Sequence, residues 1–119
     1  MATKKVRVAI IGVGNCASSL VQGVQFYKNA RDDQVIPGIM HTRIAGYHVR
    51  DIEFTIGIDV NASKVGKDLS QAIFAEPNNT YKFAQVPHLN APVVRGMTHD
   101  GLGKYLAGII EKAPGPTAD

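Results

Sequence analysis

The sequence contains a single cysteine, Cys16, so the chain cannot close an internal disulfide. Proteins without disulfides are typical of a reducing cytosol, and we therefore expect a cytoplasmic location. Long hydrophobic runs are also missing, because Gly12 and Gly14 interrupt the one apolar run near the N-terminus. The sequence therefore predicts neither a secretory signal peptide nor a membrane span. Without a secretory signal, the glycosylation-like triplet Asn78-Asn79-Thr80 is interpreted as a polar loop.

Charge is scarce as well, since charged residues make up 19% of the chain and the net charge is +3. The basic residues are scattered, whereas a nucleic-acid-binding surface needs a basic stripe or patch. The four histidines lack the spacing of metal ligands, such as a pair four residues apart on a helix; they are His41, His48, His88 and His99. We therefore predict no nucleic-acid partner and no metal site in a small globular chain of 119 residues with one core.

An apolar strand, a glycine turn and a helix follow one another near the N-terminus. The strand covers residues 6–11, and helical periodicity predicts a helix from Cys16 to Asn29. Gly12 permits the tight turn, Gly14 lets the backbone approach a pyrophosphate, and Ala17 allows the helix to pack closely on the strand. The helix N-terminus adds N–H donors for phosphates. This order predicts a dinucleotide site, and the alternative is an ordinary strand-to-helix turn with two glycines.

The periodicity of the first helix also predicts which side chains are buried. One face carries the apolar residues Ala17, Leu20, Val21, Val24 and Tyr27, and the opposite face carries Gln22, Gln25 and Lys28. Asn15 is expected to contact the pyrophosphate, with helix capping as the alternative. Cys16 has no histidine near it in the sequence, so a small buried residue is favoured over a nucleophile.

A second strand covers residues 52–59, where isoleucine and phenylalanine alternate with other residues, and it ends at Asp59. A carboxylate at this place in a dinucleotide fold accepts hydrogen bonds from the adenosine ribose and repels a 2′-phosphate. No arginine follows directly, so the sequence favours NAD over NADP. The alternative role of Asp59 is to cap the next helix.

Between the first helix and this strand lies a long excursion, residues 31–50. Its Tyr47, His48 and Arg50 are expected to contact a neighbouring subunit, to cover the cofactor, or to be surface-loop residues.

The remaining elements complete a predicted order of alternating strands and helices. They are a helix from Asn61 to Phe74, a loop over 76–92, a short strand from Ala91 to Arg95 and a helix from Thr98 to Lys112. We predict an α/β fold, a Rossmann-like doubly wound parallel sheet that is incomplete, with about three strands and three helices. The first strand is apolar on both faces, so in three strands it keeps a free edge, which predicts self-association.

Read together, these residues resemble the bacterial type of inositol-1-phosphate synthase, also called myo-inositol-3-phosphate synthase. The resemblance rests on Val8–Gly23 with its run Asn15-Cys16-Ala17-Ser18-Ser19, on Pro37–His41, Gly46–Asp51, Asp59–Gly66 and Asp68–Ser70, and on Arg95-Gly96 and Asp100–Tyr105. It covers nearly all of the chain. The Asn15–Ser19 run is not a general dinucleotide motif, and it argues against a methyltransferase-like nucleotide binder.

The resemblance implies the N-terminal NAD-binding portion of an enzyme that converts glucose 6-phosphate to myo-inositol phosphate. In that family of isomerases, NAD oxidises a sugar carbon, an aldol-type closure follows, and the NADH formed reduces the product, which serves inositol and phospholipid biosynthesis. The cofactor-binding residues it implies are Gly12, Gly14, Asn15, Cys16, Ala17 and Asp59. Family members form homotetramers.

The resemblance also implies that residues 1–119 form a partial NAD-binding Rossmann domain. It places the catalytic lysines and the tetramerisation domain outside these residues, so no catalytic residue is assigned and the chain alone is expected to be inactive. The alternative function is a stand-alone NAD-sensing module that regulates a partner without catalysis.

Overall fold

The computed structural model describes residues 4–97 and 113–114, which form an α/β arrangement. Its elements are β1 (Val6–Ile11), α1 (Asn15–Tyr27), β2 (Arg43–Ile44), β3 (Tyr47–His48), a 3-10 turn (Val49–Asp51), β4 (Ile52–Asp59), α2 (Leu69–Ala72) and β5 (Val93–Arg95). The two predicted strands at 6–11 and 52–59 and the short strand within 91–95 are confirmed. The predicted helix over 98–112 lies outside the described residues.

The main sheet has three parallel strands in the order β1-β4-β5. This is the order expected of the first half of a doubly wound fold, and it confirms the predicted parallel sheet. Among the described residues β1 has β4 as its one strand neighbour, so β1 has the predicted free edge. Its last side chain, Ile11, is 82% exposed, which shows that one face of the sheet is uncovered at this strand.

Helix α1 covers the other face of the sheet, and the core forms between them. The buried residues that form this core include Ile10, Val13, Ala17, Val21, Val24, Phe54, Leu69, Ile73 and Val93. Two predictions for α1 are wrong. Leu20 is about half exposed, whereas Gln22 is fully buried. Gln22 is buried because its amide binds the 76–92 loop: Oε1 accepts from the Phe83 and Ala84 N–H groups, and Nε2 donates to the Tyr81 carbonyl.

The predicted helix from Asn61 to Phe74 is wrong in length, because α2 covers only Leu69–Ala72. The Asn61 side chain accepts from the Ser63 N–H in a local turn, and Gly66 has φ +90°, a left-handed conformation that interrupts a helix. The backbone from Gly66 to Leu69 instead exchanges hydrogen bonds with residues 91–93. These bonds to a distant strand replace the helical ones that the periodicity predicted.

The excursion, residues 31–50, is a loop as predicted. It contains a short antiparallel hairpin formed by β2 and β3, which have two residues each. His48 is buried, with 2% of its surface exposed, so the surface-loop interpretation is wrong for this residue. Its Nδ1 accepts from the Arg50 N–H, so the ring proton lies on Nε2, which donates to the Ala30 carbonyl at 2.7 Å. His48 therefore connects the end of the excursion to the chain just after α1.

None of the helices in the part of the chain that the structure describes has the length and apolar character needed to cross a membrane.

Candidate functional site

The glycine turn joins β1 to α1 at the carboxyl end of the sheet. Gly12 has φ +91°, which favours glycine, and its N–H donates to the Ile58 carbonyl at 2.8 Å. Gly14 has an extended backbone, with φ −99° and ψ −160°, so other residues could adopt its conformation. A Cβ built on Gly14 would meet no atom within 4 Å. The absence of a side chain at Gly14 is therefore not needed for packing, and it leaves the surface of the turn open to a ligand.

Helix α1 begins at Asn15 with Gly14 as its N-cap, and no side chain caps it. Asn15 therefore does not cap the helix, which excludes that alternative. Its Oδ1 instead accepts from the Asn79 N–H at 2.8 Å, the Thr80 N–H at 3.0 Å and the Thr80 hydroxyl at 2.7 Å. Asn15 thus attaches the 76–92 loop beside the turn, and the first N–H groups of α1 have no side-chain acceptor from a cap.

The next two residues of α1 differ in their surroundings. Cys16 is exposed, so the prediction that it is buried is wrong. Ala17 is buried among the core residues, as expected of a small residue that allows α1 to lie close to β1.

Asp59 lies at the end of β4, directly beside the glycine turn. Its Oδ2 accepts from the Val13 N–H at 2.8 Å, and its Oδ1 accepts from the Val60 and Asn61 N–H groups. The carboxylate is half-buried, and Oδ2, which accepts one hydrogen bond against two at Oδ1, has a second lone pair. Asp59 therefore organises both the turn and the start of the following segment while it retains acceptor capacity for a ligand hydroxyl.

Two residues that sequence reasoning missed lie beneath the turn. Lys64 is 4% exposed, and its Nζ donates to Asn78 Oδ1 at 2.9 Å. Asn78 Nδ2 donates to the Val13 carbonyl at 3.2 Å and to the Ile73 carbonyl at 3.1 Å. Burial lowers the pKa of the Lys64 ammonium below its usual range, and the charge of Asp59 opposes that shift. No local signal could have found them, because Asn78 lies 65 residues from Val13.

An arginine lies closer to Asp59 than the sequence indicated, because Arg95 on β5 pairs in register with Asp59. Within the described residues, no group of three or more His, Cys, Asp or Glu side chains could hold a metal ion. The site that the structure brings together thus consists of the glycine turn, the start of α1 and the carboxylate of Asp59.

No protein-family model matches the chain. Curated relatives do: it is 56% identical over 115 residues to an inositol-3-phosphate synthase of Mycolicibacterium smegmatis, which covers 97% of this chain and 32% of that protein. It is 57% identical over 118 residues to the synthase of Mycobacterium tuberculosis, covering 99% and 32% of the two chains. With the synthase of Corynebacterium glutamicum it shares 48% over 119 residues, covering 100% and 33%.

Two solved structures resemble the chain. The crystal structure of Ari2 superposes with a TM-score of 0.70 at 34% identity, covering 80% of this chain and 29% of that one. A myo-inositol-1-phosphate synthase-related protein from Thermotoga maritima superposes with a TM-score of 0.57 over 91% of this chain and 26% of that one, and at 24% identity it supports the fold alone. The chain spans about a third of the length of the curated relatives. It is homologous to the N-terminal portion of bacterial inositol-3-phosphate synthases.

Proposed function

We propose that this chain is the NAD-binding portion of an inositol-3-phosphate synthase. The observation that carries the proposal is the hydrogen bond between Asp59 Oδ2 and the Val13 N–H, 2.8 Å long. It places the acidic residue after the second parallel strand against a glycine turn that opens a helix, the arrangement that binds dinucleotides in doubly wound folds. The homology to inositol-3-phosphate synthases supports NAD as the cofactor of the longer protein.

The described residues fit two parts of the cofactor, its pyrophosphate and its adenosine ribose. The open surface over Gly14 and the uncapped start of α1 fit the pyrophosphate, and Asn15, Cys16 and Ala17 form the first turn of that helix. Gly12 provides the left-handed turn. Asp59 fits the ribose hydroxyls, and its negative charge supports NAD over NADP, although Arg95 on the neighbouring strand brings a positive charge near.

Titration calorimetry with NAD and NADP tests this assignment. We expect NAD to bind more tightly than NADP, and Gly14→Val to lower NAD affinity at least about tenfold by covering the pyrophosphate position. The backbone at Gly14 and the free space around it accept a side chain, so the fold should survive. Gly23→Val is the matched control, because a Cβ at Gly23 also meets no atom within 4 Å but lies within α1, away from the turn. Equal NAD affinity in wild type and Gly14→Val would refute the site.

For the longer protein we propose the activity of its relatives, an isomerase of the cytoplasm that converts glucose 6-phosphate to myo-inositol phosphate as a homo-oligomer. Residues 1–119 form a partial Rossmann domain in this proposal, and the catalytic and tetramerisation domain lies outside them. NAD supplies the oxidant for the first step, and these residues bind and orient it. Ring closure needs an acid–base group and charge stabilisation that the glycine turn does not provide. The pure 119-residue chain with NAD should form no inositol phosphate from glucose 6-phosphate by chromatography, and product formation would contradict this division.

A further inference from the structure

The peptide between Val13 and Gly14 lies at the crest of the glycine turn, and its orientation decides where the Gly14 N–H points. It is a trans peptide, so its C=O and N–H point in opposite directions within one plane. The Val13 carbonyl accepts from Asn78 Nδ2 at 3.2 Å. The Gly14 N–H therefore points away from Asn78.

The orientation of the Asn78 amide is determined by Lys64 together with two backbone carbonyls. An ammonium group can only donate, so the Lys64 Nζ, 2.9 Å away, requires the amide oxygen on its side. The amide nitrogen then faces the carbonyls of Val13 and Ile73 and donates to both. A rotated amide would place its nitrogen against the ammonium and its oxygen against two carbonyls, which is unfavourable at every contact.

Asp59 does not duplicate this role. It accepts from the Val13 N–H and so orients the preceding peptide, between Gly12 and Val13. The following peptide is oriented through its carbonyl, and the described hydrogen bonds give that carbonyl Asn78 as its side-chain donor. Without this donor, the Val13–Gly14 peptide can rotate and present its oxygen to the pyrophosphate, replacing a donor with a repulsive acceptor.

We infer that Asn78 and Lys64 are positioning residues for phosphate binding: Lys64 orients the Asn78 amide, and Asn78 holds the Val13–Gly14 peptide with its N–H directed at the ligand. This inference rests on the proposed function, because it concerns the same nucleotide site. It adds Asn78, a half-buried residue that binds the turn from behind, and the buried Lys64, which acts on the turn through Asn78.

The first test compares ligands with and without phosphates. For Asn78→Ala we expect affinity for ADP and NAD to fall about tenfold, the value of one hydrogen bond to a charged group, while affinity for adenosine stays unchanged. Asn79→Ala is the matched control: Asn79 is exposed, and it contacts Asn15 through its backbone N–H. Titrations followed by NMR measure all three ligands, and the amide resonance of Gly14 should shift with ADP in wild type but much less in Asn78→Ala.

The second test leaves Asn78 in place and removes the group that orients it. Lys64→Met should lower ADP affinity several-fold without affecting adenosine, because the amide oxygen loses its Lys64 donor and the amide is held less firmly by its bonds to the Val13 and Ile73 carbonyls. Lys67→Met removes the same charge from an exposed position in the same segment and should leave the ratio of ADP to adenosine affinity as in wild type. This control separates loss of orientation from loss of one positive charge.

The possible results distinguish the inference from the proposed function. If Gly14→Val abolishes ADP binding but Asn78→Ala and Lys64→Met bind ADP as wild type does, the positioning role is refuted and the nucleotide site stands. Equal losses for ADP and adenosine would show a merely structural role and would also refute it. If wild type binds neither ADP nor NAD, both fail together. Should Asn78→Ala not fold, Lys64→Met decides the question by the same ratio.

Discussion

Two connections flank helix α1, and they are held in opposite ways. The glycine turn before α1 is held by side chains from far along the chain: Asp59 lies 46 residues from Val13, and Asn78 lies 65 residues from it. The excursion after α1 is held mainly by bonds between residues at most 18 positions apart, although the Lys5 ammonium also donates to the Arg50 carbonyl. The His48 ring donates to the Ala30 carbonyl, 18 residues away, and the His48 backbone N–H donates to the Asp51 carboxylate, three residues on.

The sequence separation of the residues that hold each connection distinguishes the glycine turn from the excursion. The geometry of the turn depends on β4 and on the 76–92 loop, so it exists only when these elements are folded against α1. The excursion is attached through bonds to residues next to it, such as Tyr27 and Ala30, and its apolar side chains Val35 and Met40 are 99% and 92% exposed. We therefore expect changes in the excursion to alter stability without altering the turn, and changes around the turn to alter ligand binding.

The largest expected effect on stability comes from the excursion. His48→Ala should lower the free energy of unfolding by about 3 kcal/mol, because it empties the space of a buried ring, removes its two partly buried hydrogen bonds and leaves their backbone partners unsatisfied. Urea denaturation measures this, and NAD affinity of the folded variant should equal that of wild type. His41→Ala is the control, since His41 is exposed and in the same excursion. A drop in NAD affinity that matches the loss of stability would contradict this prediction, because it would show that the excursion also determines the geometry of the glycine turn.

The base of the loop beside the turn gives the next effect. The Asp68 carboxylate accepts from the N–H groups of Ser70, Leu89 and Ala91 and from the Ser70 hydroxyl. Burial raises the pKa of this carboxyl, but these hydrogen bonds outweigh it and hold the pKa below the ordinary value of 3.8. Asp68→Asn should cost about 2 kcal/mol at neutral pH, because one buried N–H then faces an amide nitrogen.

The sign of this shift predicts the pH dependence. A carboxyl whose pKa is lowered by folding stabilises the chain above the ordinary value and loses that contribution as pH falls through the folded value. The difference in unfolding free energy between wild type and Asp68→Asn should therefore be constant above about pH 5 and shrink below 3.8. Denaturation curves between pH 6 and pH 2.5 test it, and a difference that grew on acidification would contradict the hydrogen-bond explanation.

A smaller loss of stability is expected at the turn itself. Asp59→Asn should cost about 1.5 kcal/mol, because three backbone N–H donors then share one oxygen and an amide nitrogen. The same change removes the charge that repels a 2′-phosphate, so the ratio of NAD to NADP affinity should fall as well. Calorimetry with both nucleotides measures the ratio, and Asp33→Asn, an exposed carboxylate of the excursion, is the control. An unchanged ratio would remove Asp59 from the ribose position.

The smallest effect on stability, within about 0.5 kcal/mol, is expected for exposed apolar side chains. These variants instead test whether self-association occurs through β1 or through the excursion. Ile11→Lys places a charge at the uncovered end of β1 and should reduce any dimer, since an open apolar edge promotes pairing. Met40→Lys makes the same change in the excursion and should leave the oligomeric state as in wild type. Light scattering over a range of concentrations decides, and the opposite pattern would assign association to the excursion.

The parts of the fold that sequence reasoning predicted depend on short-range patterns. The alternation of residues 52–59 and the apolar run of 6–11 predicted β4 and β1 with their observed bounds, because strands of a buried sheet need apolar side chains. The predicted helix over 61–74 shows the limit of this reasoning. Its apolar spacing was helical, but Gly66 and the hydrogen bonds to residues 91–93 gave that backbone a different set of partners.

The sequence by itself determined the order of strand, glycine turn, helix and acidic strand end, because each of these follows from local backbone preference and local hydrophobicity. Only the tertiary structure decided how the turn is supported. The polarity of Gln22 predicts a position on the exposed face of α1. The side chain is buried instead, because the 76–92 loop covers it and forms hydrogen bonds with its amide. Asn78 binds the turn for the same reason, because the Val13 carbonyl needs a hydrogen-bond donor and its side-chain donor is 65 residues away along the chain. Lys64 is buried beside it because its ammonium donates to the Asn78 amide oxygen.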